Sequence, residues 1–105
     1  MTIDVAVPVL QVLKALAEPS RWQIANALAN EELCVCHLVE LLGVPQPLVS
    51  HHLRVLRDAG LVETSRYRYW TYYRLRAHGL GALGRRINGL VDAAPPPEQR
   101  RRPCC

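Results

Sequence analysis

"ELCVCHLVELLGVPQPLVSHHLRVLRDAG" occupies residues 32–60, and its two glycines mark the ends of two helical segments. The first segment, about Cys34 to Gly43, is short and apolar and ends at a residue able to adopt the left-handed conformation that follows many helices. The second segment runs from Pro45 to Gly60. A short helix, a brief turn and a helix with a polar face together predict a helix-turn-helix, whose second helix enters the major groove of DNA.

The second helix separates apolar residues from polar ones. We expect its inward positions to be Leu48, Val49, Leu53, Val55 and Leu56, with Leu61 continuing the core. The outward polar residues that we predict to contact DNA are Gln46, Ser50, His51 and Arg54, with Arg57 as a weaker candidate. His52 is expected either to face DNA or to pack.

Residues 61–75, "LVETSRYRYWTYYRL", follow directly and are rich in aromatic and β-branched residues, which predicts a two-stranded β-ribbon. Arg66 and Arg68 lie near its tip, where a wing can grip the phosphate backbone or the minor groove. Tyr67 is a weaker candidate for this contact. The tip lacks Asn-Gly or Asp-Gly, so the sequence leaves its turn type open. Trp70, Tyr72 and Tyr73 are expected to brace the ribbon.

Further helical patterns flank this unit. "VPVLQVLKALA" (7–17) and "SRWQIANALAN" (20–30) have apolar residues at helical spacing, and the second places Trp22 and Ile24 on or near one face. A glycine-rich last helix, about Leu80 to Val91, would be weak alone and therefore needs a partner surface. The sequence thus predicts a mainly α fold with a β-hairpin, a homodimeric winged helix-turn-helix.

Length and charge narrow the possible functions. The 105 residues suit one domain, residues 1–92, followed by a flexible tail, 93–105, in which consecutive prolines and arginines predict no regular element. The net charge of +4 comes almost wholly from arginine, which favours nucleic acid as the partner. Neither a secretory signal nor a membrane span is present, so we expect a cytoplasmic, reducing location with cysteines kept as thiols or metal ligands.

The order of these motifs closely resembles the ArsR/SmtB family of winged-helix metal-sensing repressors. The resemblance covers about Val7 to Leu75 and rests on "EPSRWQIANAL", the stretch 32–62 and "RYRYWTYYRL". It implies a homodimer, built mainly by the first and last helices, that binds palindromic operator DNA and releases it when a toxic metal or metalloid binds. It implies no enzymatic activity.

In the arsenic-responsive branch of that family, thiols at the positions of Cys34 and Cys36 bind trivalent arsenic or antimony, soft ions that prefer thiolates. Residues two apart on an ideal helix point to different sides, so we expect sharing of one ion to require distortion of the first turn. The third thiol of that box is replaced by Val39, which makes Cys104 and Cys105 the candidate additional ligands.

Several alternatives stay open at this stage. Cys34 and Cys36 could be small, half-buried residues, and the terminal cysteine pair could be incidental. Cadmium, lead or zinc could replace arsenic as the inducer, because two thiolates with further donors also hold those ions. A winged-helix DNA-binding protein without metal response fits everything except the cysteines. His37 is expected to face solvent rather than a metal, and His78 lacks the second histidine of a zinc site.

A small thiol enzyme is less consistent with this sequence. It would need an activated cysteine in a phosphate-cradling loop or a thioredoxin-like C-x-x-C motif, and neither is present. A disulfide between Cys34 and Cys36 would be strained, which disfavours redox sensing.

Overall fold

A computed structural model describes residues 3–104, with side chains from residue 9 onward. It confirms the predicted mainly α fold with a single β-hairpin in this part of the chain. The elements are α1 (Ile3–Leu16), α2 (Pro19–Leu28), α3 (Val35–Leu42), α4 (Gln46–Asp58), β1 (Val62–Tyr67), β2 (Trp70–Leu75), α5 (Ala77–Ala93) and α6 (Pro97–Arg100). None of these helices has the length and apolar character needed to cross a membrane.

Helices α3 and α4 form the predicted helix-turn-helix. Gly43 ends α3 with a φ of 65°, and Gly60 follows α4 with a φ of 78°. An L-residue with a side chain rarely adopts such angles, so glycine lets the chain reverse at both points without strain. The two turns hold α4 against the rest of the domain and leave its outer face uncovered.

The core lies beneath α4 and extends to α2 and α3. Its fully buried side chains are Ile24, Leu38, Val49, Leu53, Leu56, Leu61 and Val62. This confirms Val49, Leu53, Leu56 and Leu61 as predicted core positions, whereas Val55 is half-buried at the edge of the core and Leu48 does not belong to it. Leu48 is exposed, because Val49, Leu53 and Leu56 define the inward face and Leu48 lies about 100° around the helix from Val49.

Helix α2 also differs from the prediction. The helix begins at Pro19, just before the predicted stretch 20–30, and its N-cap is Glu18, whose carboxylate accepts a hydrogen bond from the Arg21 backbone N–H at 3.0 Å. Ile24 and Leu28 face the core as expected, but Trp22 points outward and is mostly exposed. The apolar pattern of this short helix was too sparse to show which side is buried.

Strands β1 and β2 are antiparallel, with Val62 opposite Leu75 and Tyr67 opposite Trp70. The connection is therefore a two-residue turn, Arg68–Tyr69. Arg68 has a φ of 56°, and it is the only residue other than glycine with positive φ in the described part of the chain. A positive φ at the first central residue alone is the pattern of a type II′ hairpin turn, where glycine is usual.

Helix α5 packs on α1 and is longer than predicted. Apolar side chains of both helices remain exposed on the outside of the domain: Leu10, Leu13, Ile87, Leu90 and Val91. The tail contains the short helix α6, which contradicts the prediction of no regular element. Pro97 is compatible with it because proline fits the first turn of a helix, where its missing N–H has no intrahelical partner.

Candidate functional site

The two central thiols lie side by side at the start of α3. Cys34 is the N-cap of the helix, with extended backbone angles (φ −89°, ψ 169°), and Cys36 lies in the first turn. Their Sγ atoms are 2.7 Å apart. The expected distortion of the first turn is therefore unnecessary, because Cys34 lies outside the helix and its side chain is free of the 100° helical spacing.

His37 belongs to the same cluster, contrary to the expectation that it only faces solvent. Its Nδ1 accepts a hydrogen bond from the Cys34 backbone N–H at 3.1 Å and lies 3.2 Å from Cys34 Sγ. The ligand atoms of Cys34, Cys36 and His37 all lie within 4.8 Å of one another, although the histidine ring is exposed. Two sulfurs and one imidazole form a donor set that suits soft and borderline metal ions.

The surroundings of the two thiols shift their pKa values in opposite directions. Burial raises the pKa of Cys34, but hydrogen bonds from the Cys36 thiol and from the backbone N–H groups of His37 and Cys36 outweigh it, so the net shift is downward. The pKa of Cys36 is raised, chiefly because its thiol donates to Cys34, with burial and the charge of Cys34 adding to the shift. The pair therefore loses its first proton most readily from Cys34, whose thiolate is the more nucleophilic form.

The tail cysteines are separate from this cluster in the described structure. Cys104 is an exposed thiol beyond α6, and Cys105 lies outside the described residues. A groove of about 450 Å³ runs beside the cluster and includes Leu33, His37, Glu31 and Glu40 in its lining. His37 therefore connects the thiol cluster to an open groove with two carboxylates, Glu31 and Glu40.

The segment that carries Cys34 is joined to the hairpin. Leu33 donates its backbone N–H to the Tyr73 carbonyl at 3.1 Å, and Tyr73 donates its N–H to the Leu33 carbonyl at 2.7 Å. This isolated bridge adds a third extended segment to β2. The residue before the first thiol is thus held directly by the predicted wing, a link that sequence periodicity did not indicate.

The residues of α4 predicted to contact DNA lie on its uncovered side. Gln46, His51 and Arg54 are exposed, and Ser50 is half-buried. A polar cleft of about 240 Å³ between α4 and β2 is lined by Ser50, Leu53, Arg54, Arg57 and Tyr73. The structure thus places Arg57, the weaker candidate, beside two of the stronger ones.

His52, in contrast, is buried and packs within the domain. Its Nδ1 lies 3.2 Å from an Arg21 guanidinium nitrogen and 3.8 Å from a Glu18 carboxylate oxygen. Arg21 also donates from Nε to the Ala15 carbonyl at 2.6 Å. Burial lowers the pKa of His52, and the charges of Arg21 and His51 lower it further, whereas Glu18 opposes the shift. The cluster ties α4 to the junction of α1 and α2.

Both wing arginines are exposed but occupy different positions. Arg66 pairs with Thr71 and lies on the same ribbon face as Tyr73, two residues along β2. Arg68 lies in the turn, with its guanidinium carbon 5.4 Å from the centre of the Tyr67 ring. Arg66 therefore continues the α4 cleft, whereas Arg68 belongs to the apex of the hairpin.

Comparisons with known proteins agree with this arrangement. Residues 18–64 match the family model described as "Bacterial regulatory protein, arsR family". The arsenic resistance transcriptional regulator ArsR1 of Pseudomonas putida is 40% identical over 83 residues, which cover 78% of this chain and 65% of that protein. A transcriptional repressor SmtB homolog of Synechocystis is 39% identical over 87 residues, covering 83% of this chain and 66% of its own length. The chain thus spans just under two thirds of each of these relatives.

A solved structure supports the same assignment. The homodimeric winged helix-turn-helix DNA-binding domain of Mb0332 from Mycobacterium bovis, described as a possible ArsR-family transcriptional regulator, superimposes with a TM-score of 0.70 at 30% identity. The superposition covers 85% of this chain and 82% of that one. By sequence and by fold, the chain belongs to the ArsR/SmtB family of helix-turn-helix transcriptional regulators.

Proposed function

We propose that this protein is a transcriptional repressor that binds operator DNA as a homodimer and is released when a toxic metal or metalloid ion binds Cys34 and Cys36. One observation carries the proposal: the paired thiols at the start of α3 are joined through Leu33 to the hairpin and through α3 to the helix-turn-helix. An ion-binding group and a DNA-binding unit therefore share one continuous piece of backbone.

The DNA contacts are assigned to the outer face of α4 and to the wing. Gln46, Ser50, His51 and Arg54 would read base edges in the major groove, while Arg66 and Arg68 would hold phosphates or the minor groove. Leu48, exposed on the first turn of α4, is an added candidate for contact with thymine methyl groups. A two-fold dimer would place two such surfaces on half-sites about one DNA turn apart.

The dimer would use the exposed apolar side chains of α1 and α5. Leu90 and Val91 are among the most exposed apolar residues in the described part of the chain, although α5 is too rich in glycine to be stable by itself. A second copy would cover this surface and stabilise the helix.

We propose trivalent arsenic or antimony as the inducer, with Cys34 and Cys36 supplying two thiolates. A third thiolate would come from Cys104 or Cys105. Charge supports this role for the tail, because Arg100, Arg101 and Arg102 lie just before Pro103 and the cysteines, and the groove that contains His37 is also lined by Glu31 and Glu40. Attraction between these groups would raise the local concentration of the tail thiols at the cluster.

A second candidate is a cadmium, lead or zinc sensor, and the position of His37 favours it. Its imidazole already lies beside both sulfurs, and a sulfur-nitrogen donor set suits these divalent ions, whereas trivalent arsenic favours three sulfurs. If zinc is taken as an example, zinc–sulfur bonds of ~2.3 Å in tetrahedral geometry put two sulfurs ~3.8 Å apart. An ion held by both sulfurs would fix Cys34 relative to α3, and any movement of Cys34 would act on its segment and on the bridge to Tyr73.

That movement provides a physical basis for release. A ligand shifts an equilibrium only by its differential affinity for two states. In the conformation that binds DNA, the Leu33–Tyr73 bridge would oppose displacement of Cys34 by a bound ion. In a second conformation, in which the wing has moved relative to α4, the same displacement would cause less strain. Ion binding would therefore favour the second conformation and weaken DNA binding.

Fluorescence anisotropy on the DNA upstream of this protein's own gene, at fixed salt and with reduced protein, tests the proposal. Arsenite, antimonite, cadmium, lead and zinc are titrated in parallel against wild type, Cys34→Ser, His37→Gln and a chain truncated after Arg102. Serine is a good N-cap, so Cys34→Ser should keep α3 intact and bind DNA normally while losing release.

The variants separate the two inducer classes. Arsenite release blunted by the truncation but not by His37→Gln supports a three-thiol site. Cadmium or zinc release blunted by His37→Gln alone supports the second candidate. DNA binding unaffected by every ion would contradict metal sensing and leave a winged-helix protein without metal response.

A further inference from the structure

The tip of the hairpin carries an unusual group of exposed aromatic rings. Tyr67 is 61% exposed, Tyr69 92% and Trp70 56%, and all three lie within four consecutive residues. Burial of an aromatic side chain is favourable because it removes a large apolar surface from water. A cluster of exposed aromatic side chains therefore indicates a contact surface. The remaining aromatic residues of the ribbon, Tyr72 and Tyr73, are half-buried and brace it.

The backbone conformation of the two-residue turn places Tyr69 at the apex of the hairpin. Arg68 occupies the position of a two-residue turn where glycine is usual, and its φ of 56° is an uncommon value for an arginine. Its guanidinium lies over the Tyr67 ring, which helps to hold the turn by a cation–π contact. Tyr69, the next residue, is left at the apex without a comparable partner among the described residues.

Charge indicates what this surface contacts. The aromatic tip is flanked by Arg66 and Arg68, and the ribbon face of Arg66 leads along β2 to the cleft formed with Arg54 and Arg57. Because Arg66 pairs with Thr71 and Tyr67 with Trp70, the rings of Tyr67 and Trp70 lie on the ribbon face opposite Arg66. The tip therefore combines a basic face that leads to α4 with an aromatic face behind it. A partner that offers both negative charge and flat stacking surfaces is duplex DNA.

We propose that Tyr69 and Trp70 form an aromatic wedge that enters the minor groove beside the site of α4, stacks on a base and bends the duplex. This inference rests on the proposed DNA-binding function and adds a DNA-deforming role for the wing. Separating a base step costs energy that depends on the step and is lowest at flexible pyrimidine–purine steps. The wedge would therefore favour DNA with flexible base steps at positions where the protein makes no hydrogen bond to a base.

Trp70 provides a direct spectroscopic probe. The chain has two tryptophans, so Trp22→Phe leaves Trp70 as the only one. Binding to a duplex selected by the protein from a random pool should quench Trp70 emission and protect it from iodide. Energy transfer between dyes at the two duplex ends should increase at the same time, as the bend shortens their separation.

Tyr69→Ser is the matched test, because a side chain at the apex of the turn contributes little to the fold. Trp22→Ser, at an exposed aromatic on α2, is its control. Tyr69→Ser should reduce the bend and weaken DNA binding about 5- to 100-fold, the range expected for one lost base–aromatic stack, while Trp22→Ser changes neither. Circular dichroism should show both variants folded.

Four results would overturn the wedge. If the wild-type protein binds DNA but Trp70 stays open to iodide, or if Tyr69→Ser bends and binds the duplex as wild type does, the proposed function stands and the wedge is wrong. If Tyr69→Ser instead alters self-association of the protein without DNA, the aromatic tip contacts a second copy. If no version binds any duplex, the proposed function and the wedge fail together.

Discussion

Leu33 and Tyr73 exchange two backbone hydrogen bonds, at 3.1 and 2.7 Å, so the residue before the first thiol is bonded to the wing. Backbone bonds of this kind transmit a displacement along the chain more directly than side-chain contacts. They connect the thiol cluster through the backbone to the hairpin as well as to α4.

Removing one of these bonds should separate ion binding from DNA release. In Leu33→Pro the backbone can no longer donate to the Tyr73 carbonyl, while both thiols and His37 remain. We expect ion affinity measured without DNA to change little, and the ion-induced loss of DNA affinity, about 5- to 150-fold for typical allosteric coupling, to shrink. Leu33→Ala retains the backbone donor and is the control. Equal coupling in both variants would show that the signal travels through α3 instead.

The hydrogen bond between the thiols predicts an unequal pH response. The pKa of Cys34 is lowered and that of Cys36 raised, with their mutual hydrogen bond contributing to both shifts. In metal-free protein, peptide-resolved iodoacetamide labelling should give Cys34 the lower pH midpoint. In Cys36→Ala the donor to Cys34 is removed, so the Cys34 midpoint should rise. Identical midpoints in the wild type would contradict this geometry.

Buried His52 should make stability depend on pH. Burial lowers its pKa below the ordinary value of 6.5, so near pH 6 the unfolded chain binds a proton that the folded protein does not. The free energy of unfolding should therefore fall as pH drops from 6.5 through the lowered pKa, and it should be fully restored above 6.5. Urea denaturation at fixed protein concentration should show a smaller slope in His52→Gln over this window. A slope unchanged by the substitution would assign the effect to other groups.

Helix α3 offers a paired test of packing. Leu38 is fully buried, whereas Leu41, three residues later on the same helix, is 57% exposed. Leu38→Ala should lower the free energy of unfolding by about 2–5 kcal/mol through lost burial and the cavity left behind. Leu41→Ala should change it by no more than about 0.5 kcal/mol. Similar losses would mean that α3 packs differently from the arrangement described above.

The exposed apolar residues of α5 predict dimerisation. Leu90 is 75% exposed, and Leu90→Arg would bury an unpaired charge in the proposed dimer surface. Light scattering after gel filtration should show wild type as a dimer and Leu90→Arg shifted to monomer, with DNA affinity reduced. Leu41→Arg, on α3, should remain dimeric. A wild-type monomer at micromolar concentration would remove the basis for two-fold operator binding.

Residue patterns were sufficient to predict the helix-turn-helix and the ribbon, because glycines mark both helix ends and the aromatic stretch has no helical period. They were less reliable at single positions. Leu48 was placed in the core although its neighbour Val49 takes that role, since one residue along a helix turns the side chain by about 100°. Trp22 was placed on the inner face of α2 from its helical spacing, but it is 56% exposed.

At the thiol cluster, the sequence predicted which cysteines matter but not how the backbone arranges them. The sequence identified Cys34 and Cys36 but treated both as helical, whereas the N-cap backbone of Cys34 brings its sulfur to Cys36 and its N–H to His37. A histidine three residues after a possible N-cap could have indicated this contact, because the third helical residue is placed to accept from the N-cap N–H. The Leu33–Tyr73 bridge joins residues 40 positions apart, and no local pattern reports such a pairing.

Helix α4 divides its side chains into two sets that do not overlap, one buried in the domain and one proposed to contact DNA. Val49, His52, Leu53 and Leu56 hold the helix in the domain, and Gln46, Ser50, His51 and Arg54 are left on its other side. If the outer residues contact DNA as proposed, they can be substituted with little loss of folding stability. Related regulators could then come to recognise different promoters without changing the core of the domain. Replacing these four outer residues with those of another regulator should therefore change the DNA sequence that this protein recognises, while the ion that releases it stays the same.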